Sequence, residues 1–108
     1  MKYRAVFSPE AEDQLAALYR YIANAASPGI AERYVNAIIN YSETLDTFPL
    51  RGVKRDDIRS GLRITNYKGR TVIAFDVDVD AQQVSILGIF YGGQDYEAAL
   101  QDDLDAPA

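Results

Sequence analysis

Two Ser-Pro dipeptides, Ser8-Pro9 and Ser27-Pro28, each open a stretch of helical periodicity, and beyond Pro49 the texture of the chain changes. A serine hydroxyl suits the N-cap, where it accepts a hydrogen bond from a free amide of the first turn. Proline suits the first helical position, where its missing N–H costs nothing. After the first dipeptide, Glu10, Glu12 and Asp13 favour the positive end of a helix dipole, and Ala11, Leu15, Leu18, Ile22 and Ala25 follow at steps of four, three, four and three. After the second, Ala31, Tyr34, Val35, Ile38, Ser42 and Leu45 form a stripe running to Phe48, where Pro49 stops the helix. So short a join, around residues 25–28, folds two helices back on each other as an antiparallel hairpin.

Strand signals flank this hairpin. Residues 2–7 alternate Lys2, Arg4 and Val6 with Tyr3, Ala5 and Phe7, a period of two that predicts a short strand. Residues 49–60 read as a polar, charged connection. From Gly61 β-branched residues alternate with turn signals: a strand over 61–67, a tight turn at Lys68-Gly69, a strand over 70–77, a turn over 78–82 and a strand over 83–91. Gly92-Gly93 breaks the meander. Residues 94–100 then suit about two helical turns, before an acidic, flexible tail over 101–108. The expectation is one α+β domain over 1–100, ordered β-α-α-β-β-β, with the helix hairpin on an antiparallel meander and a short C-terminal helix.

The last strand is apolar on both sides. Strict alternation puts Val84, Ile86, Gly88 and Phe90 on one face and Leu87 and Ile89 on the other, and the hairpin covers only one face. Two readings stay open. Either the C-terminal segment or the twist of the sheet covers the second face, or that face is a groove awaiting a partner.

Charge is segregated along the chain. Residues 51–70 carry Arg51, Lys54, Arg55, Arg59, Arg63, Lys68 and Arg70 against two acids, a net +5, whereas residues 71–108 carry eight acids and no base, a net −8. Opposite fields on one small body decide which partners are attracted and where they land. There is no cysteine and no histidine among the 108 residues. Disulfides, thiol catalysis and Cys-ligated zinc are excluded, as are the usual general base at neutral pH and the commonest metal ligand. The start of the chain lacks the apolar core of a signal peptide, and no run approaches the ~18 apolar residues of a membrane span. These features predict a cytoplasmic location, with no cofactor, no metal and no membrane partner.

Taken in order, the first strand, the Ser8-Pro9-Glu10-Ala11 helix, the second helix ending at Phe48-Pro49, Gly61-Leu62-Arg63, and a meander closing on Ile86-Leu87-Gly88-Ile89-Phe90-Tyr91-Gly92 resemble the ParE/RelE toxin superfamily, and more closely its ParE branch. The resemblance covers residues 3–100. It implies the toxin of a type II toxin–antitoxin pair: ParE members inhibit DNA gyrase, and RelE members cleave messenger RNA on the ribosome. The chain departs from the pattern in two places. ParE relatives often end the last strand on a His-Gly-Arg-Arg-Asp-like segment, where this chain has Tyr91-Gly92-Gly93-Gln94-Asp95. RNA-cleaving relatives carry an arginine on the middle meander strand, where this chain has Thr71-Val72-Ile73-Ala74-Phe75.

Metal-free RNA hydrolysis needs cations for the developing phosphorane charge and a group to take the 2′-hydroxyl proton. Tyr91 is the one acid or base near that position, and a net charge of −5 opposes docking on ribosomal RNA or on free nucleic acid. No catalytic residue is assigned. The implied function is inhibition of gyrase, neutralised by a ParD-like antitoxin in a hetero-oligomer. The alternatives are a RelE-type ribosome-dependent endoribonuclease and a non-toxic antitoxin-binding module. Candidate antitoxin contacts are Leu15, Leu18, Tyr19, Leu62, Leu87 and Ile89. Candidate target contacts are Arg51, Lys54, Arg55, Arg59, Arg63, Tyr91 and Tyr96.

Overall fold

In the computed structural model, which describes residues 3–105 and side chains as far as Leu100, both Ser-Pro signals start helices. Helix α1 spans Pro9–Ala25 and α2 spans Pro28–Glu43, followed by a 3-10 turn at Thr44–Asp46. Ser8 Oγ accepts from the Ala11 amide at 3.1 Å and Ser27 Oγ from the Ile30 amide at 3.1 Å, so each hydroxyl satisfies a donor that the helix itself cannot. The α1 stripe is buried at Ala11, Leu15, Leu18 and Ile22, but Ala25, the last residue of the helix, is exposed.

Strands β1 (Arg4–Phe7), β2 (Val53–Lys54), β3 (Arg63–Tyr67), β4 (Thr71–Asp78) and β5 (Gln83–Tyr91) form one sheet in the order β1-β5-β4-β3-β2. The meander β3-β4-β5 is antiparallel, and β1 joins β5 in parallel. Lys68 and Gly69 both take positive φ in the β3–β4 turn, as a tight hairpin requires. The charged connection holds a strand that its composition conceals. Val53 pairs with Ile64 and Lys54 with Arg63, and Gly52, at φ +83°, brings the backbone so close that an added Cβ would lie 2.3 Å from the Ile64 carbonyl oxygen. Helix α3 spans Tyr96–Asp105, longer than the two turns expected; of the acidic tail, residues 106–108 lie outside the described residues.

The faces of β5 differ from strict alternation. Ala74 pairs with Gly88 but Phe75 with Ile86, so Leu87 is an extra residue, a β-bulge. The bulge shifts the phase of the strand. Val84, Ile86 and Ile89 all join Ile73, Phe75 and the two helices in one core, whereas Leu87 and Phe90 pack on the opposite side. Helix α1 holds this irregular backbone: Ser8 Oγ donates to the Leu87 carbonyl at 3.2 Å, and Gln14 Oε1 accepts from the Ile89 amide at 2.6 Å.

The second face is covered. Ile58 and Leu62 from the connection, Ala74, Phe90 and Leu100 of α3 form a second, smaller core, with Ile64, Val72, Leu87 and Tyr96 at its margin. Of the two readings left open by the sequence, the structure takes the first.

Candidate functional site

The cations of residues 51–70 do not make one patch, because the sheet separates them. On the hairpin side, Arg51 lies 5.5 Å from the centroids of both Tyr41 and Phe48 and donates to Thr44 Oγ1. Arg63 donates to the Leu50 and Arg51 carbonyls and so clamps the connection to β3. Burial pushes the Tyr41 phenol up, but its hydrogen bond with Thr65 and the Arg51 guanidinium together hold it below its ordinary value. On the outer side, Arg55 binds Asp57 through two bonds of 3.0 and 2.9 Å, donates to Tyr96 Oη at 3.1 Å and lies 3.5 Å from Glu97. Arg55 therefore ties the connection to α3. Its hydrogen bonds and charge hold the Asp57 carboxyl below the usual carboxylate range. Lys54 pairs with Asp56 at 3.9 Å with both side chains largely exposed, and the charge of Arg59 acts on Asp76 of the outer face.

The tyrosines build a seam where helices meet sheet. Tyr34 Oη bonds Thr71 Oγ1 at 2.9 Å and its ring meets Tyr67 and Tyr91 edge-on, at centroid distances of 6.4 and 5.7 Å. Tyr21 of α1 adds a tilted contact to Tyr91 at 6.2 Å. Tyr91 is thus a packing residue between both helices. Tyr96 lies on the other side of the sheet, against Phe90 and Arg55.

The residues assigned to the antitoxin divide by burial. Leu15, Leu18, Leu62 and Ile89 are all less than a tenth exposed, consumed by the chain's own two cores. This corrects the expectation that Ile89 faces outward with Leu87: the bulge turns it inward. Tyr19 is exposed and Leu87 half-buried, so these two remain at the surface.

Concave surface gathers at the end of β5. A cavity of about 460 Å3 is lined by Gln14, Leu18, Tyr21, Arg70, Tyr91 and Gln94, among others. A second, of about 470 Å3, shares Arg70, Gly92 and Gln94 and adds Val72, Phe90 and Tyr96. The turn between them is fixed: Gln94 Oε1 accepts from the Tyr91 amide at 2.9 Å, the Gly92 amide donates to the Arg70 carbonyl at 3.0 Å, and Gly92 and Gly93 both take positive φ. A further concavity of about 700 Å3 lies beside the exposed Phe48 and Leu50, lined also by Tyr3, Pro49 and Arg51. The sequence marks Arg70 only as one of seven cations and Phe48 only as the end of a helical stripe, and gives none of Arg70, Phe48 and Leu50 a place in a site. A lone arginine at a turn and two apolar residues near a proline carry no spacing signal.

Among the described residues there is no group of three or more acidic side chains able to hold a metal ion, and no helix long and apolar enough to cross a membrane.

With this fold and these surfaces in place, the chain belongs to the ParE toxin family: the family described as ParE toxin of the type II toxin–antitoxin system parDE matches residues 5–96. It is a toxin of the type II toxin–antitoxin class. Its fold is similar to that in the chromosomal ParDE toxin–antitoxin system from P. aeruginosa, with a TM-score of 0.72 at 20% identity over 84% of this chain and 97% of that one. It is also similar to that in the toxin–antitoxin complex RelBE2 from Mycobacterium tuberculosis, with a TM-score of 0.63 at 18% identity over 84% and 99%. Comparison with curated protein sequences gives no match.

Proposed function

We propose that the protein arrests growth by binding DNA gyrase in the cytoplasm, without catalysis, and that a ParD-like antitoxin neutralises it by direct contact. The family match over residues 5–96 carries this reading. The chemistry of the surface supports it. The chain has no histidine and no arginine in residues 71–75, so groups that metal-free RNA cleavage needs are missing there. Tyr91 packs among Tyr21 and Tyr34, and Arg55 and Arg63 are committed to internal bonds. Binding a topoisomerase needs a shaped, charged surface and no proton relay. The stretch with Arg51 and Lys54, where Phe48, Leu50 and Val53 are each more than half exposed, offers such a surface along the connection that leads into β2.

The test is to release the protein from its antitoxin in growing cells and follow transcripts and chromosomes together. Chromosome breakage with a DNA-damage response and intact messages is the expected outcome. Rapid cleavage of ribosome-bound messages with intact chromosomes would establish the RelE-type ribonuclease instead. Growth without defect would leave a non-toxic binding module. Tyr91→Phe keeps the ring contacts and should retain toxicity better than Tyr91→Ala.

A further inference from the structure

Among the cations of residues 51–70, Arg70 combines concave surface on both flanks with a side chain that has no partner among the described residues. Arg51 stacks and bonds, Arg55 and Arg63 are clamped, Lys54 pairs with Asp56, and Lys68 lies 5.7 Å from the Tyr67 ring centroid. The Arg70 backbone is fixed at both ends, its amide donating to the Tyr67 carbonyl and its carbonyl accepting from Gly92. Its exposed guanidinium makes no hydrogen bond or ion pair with the described residues, yet it lines both the ~460 Å3 and the ~470 Å3 cavities. The first cavity presents Tyr21 and Tyr91 above the buried Leu18 and Ile89, and the second presents Val72 and Tyr96 beside the buried Phe90, so a cation stands between two partly apolar hollows.

We propose that this paired cavity is the anchor site for an internal Asp or Glu of the antitoxin, bound by Arg70, with apolar residues on either side of it in the antitoxin chain entering the two hollows. The proposal rests on the toxin–antitoxin reading above and adds to it the site and the chemistry of the anchor. Charge complementarity selects an anion: a guanidinium fork takes a carboxylate through two parallel bonds. The geometry selects an internal residue over a chain terminus, because a terminal carboxylate on Arg70 would leave one of the two hollows unfilled. The site is also held ready. The Tyr91–Gln94 hydrogen bond and the Gly92–Arg70 backbone bond fix the shared wall, so little of the binding energy is lost to ordering it.

The experiment measures the affinity of the full-length protein for its antitoxin, with thermal unfolding of each variant as a control for folding. Arg70→Glu should weaken the complex by at least tenfold and lower its salt dependence, Arg70→Ala by less, and Arg70→Lys least. Ala17→Trp, at an exposed α1 position on the rim of the first cavity, should weaken it without changing any charge. In cells, Arg70→Glu should still arrest growth but escape neutralisation, a result that a merely unfolded variant would not give. An Arg70→Glu complex within twofold of wild type would overturn the proposal. So would loss confined to Arg70→Glu, with Arg70→Ala and Ala17→Trp unaffected, since that is long-range repulsion and not an occupied site. If the wild-type chain binds no antitoxin at all, the toxin–antitoxin pairing itself fails and takes this site with it.

Discussion

The two sides of the sheet are built on different terms. The hairpin side is sealed by two capped helices against Ile73, Phe75, Val84, Ile86 and Ile89, all with almost no exposed surface. On the outer side the hydrophobic cluster of described residues is Ile58, Leu62, Ala74, Phe90 and Leu100, and its cover comes from the charged connection and α3, tied together by Arg55. Regular elements with their own caps make a scaffold that stands on local signals. A cover made of irregular chain depends on contacts between segments distant in sequence, and it leaves Leu87 and Tyr96 half-open. The difference teaches that the hairpin side carries the larger sealed core, whereas the outer side keeps half-exposed residues at the margin of a smaller one.

The same charge placed at two neighbouring positions of β5 should have opposite consequences on the two sides. Ile89→Asp puts a carboxylate into the hairpin-side core, at a position almost without exposed surface, and should cost about 4 kcal/mol or more, enough to abolish folding. Leu87→Asp should leave a folded protein, because its side chain keeps access to water, while weakening the antitoxin complex by roughly 2 kcal/mol if that partner covers the β5 margin. Circular dichroism of the free proteins and titration of the complex separate the two effects. Equal stability of both variants would show that the bulge does not turn Ile89 inward.

Truncation gives the next contrast. Phe75→Ala in the hairpin-side core should cost about 3–5 kcal/mol, and Leu62→Ala in the outer core about 2–3 kcal/mol, read from denaturant midpoints. Leu62 is fully buried, but a cover of loop and terminal helix collapses onto a small void more readily than two packed helices do. If Leu62→Ala costs more than Phe75→Ala, the outer side is the true core of the fold. Gly88→Ala comes next, at ~1–3 kcal/mol. An added Cβ would sit 2.6 Å from the Phe90 ring and 3.3 Å from Gln14 Oε1, forcing the ring off its seat and straining the contact that α1 makes with the bulge.

How much of this was legible in the sequence follows the same division. The helix starts and the meander were written in local chemistry: Ser8, Ser27 and the Lys68-Gly69 turn act within a few residues of themselves. The bulge was not, since one extra residue in β5 exists only relative to the pairing of Ala74 and Phe75; Gly88 inside a strand was its one local trace. The strand at Val53–Lys54 was hidden for the same reason, because two residues have no periodicity and owe their extension to β3. At the candidate site, charge counting found the cations but not their fates. Whether Arg55 or Arg70 is free depends on Asp57, Tyr96 and Gly92, and only the fold brings Tyr96 and Gly92 near.

Charge on the outer face has the smallest expected effect. Asp76 sits on the outer face opposite Ser85, and burial, aided by Asp78, pushes its carboxyl above the usual value of 3.8, with Arg59 only partly opposing. A carboxyl raised in the folded state binds a proton more tightly there than in the unfolded chain. Its contribution to stability is therefore most favourable at low pH and declines as pH rises from the ordinary carboxylate value through the raised one. Asp57 runs the other way, since its carboxyl is depressed by Arg55; it adds stability above the ordinary value that is lost as pH falls. Asp76→Asn removes the desolvated charge and should raise the unfolding midpoint at pH 7 by the equivalent of less than ~0.5 kcal/mol, the scale of a surface change, with no gain at pH 3. Melting curves at the two pH values decide it. A gain of the same size at both would mean that packing of the amide, and not the buried charge, sets the energetics of that face.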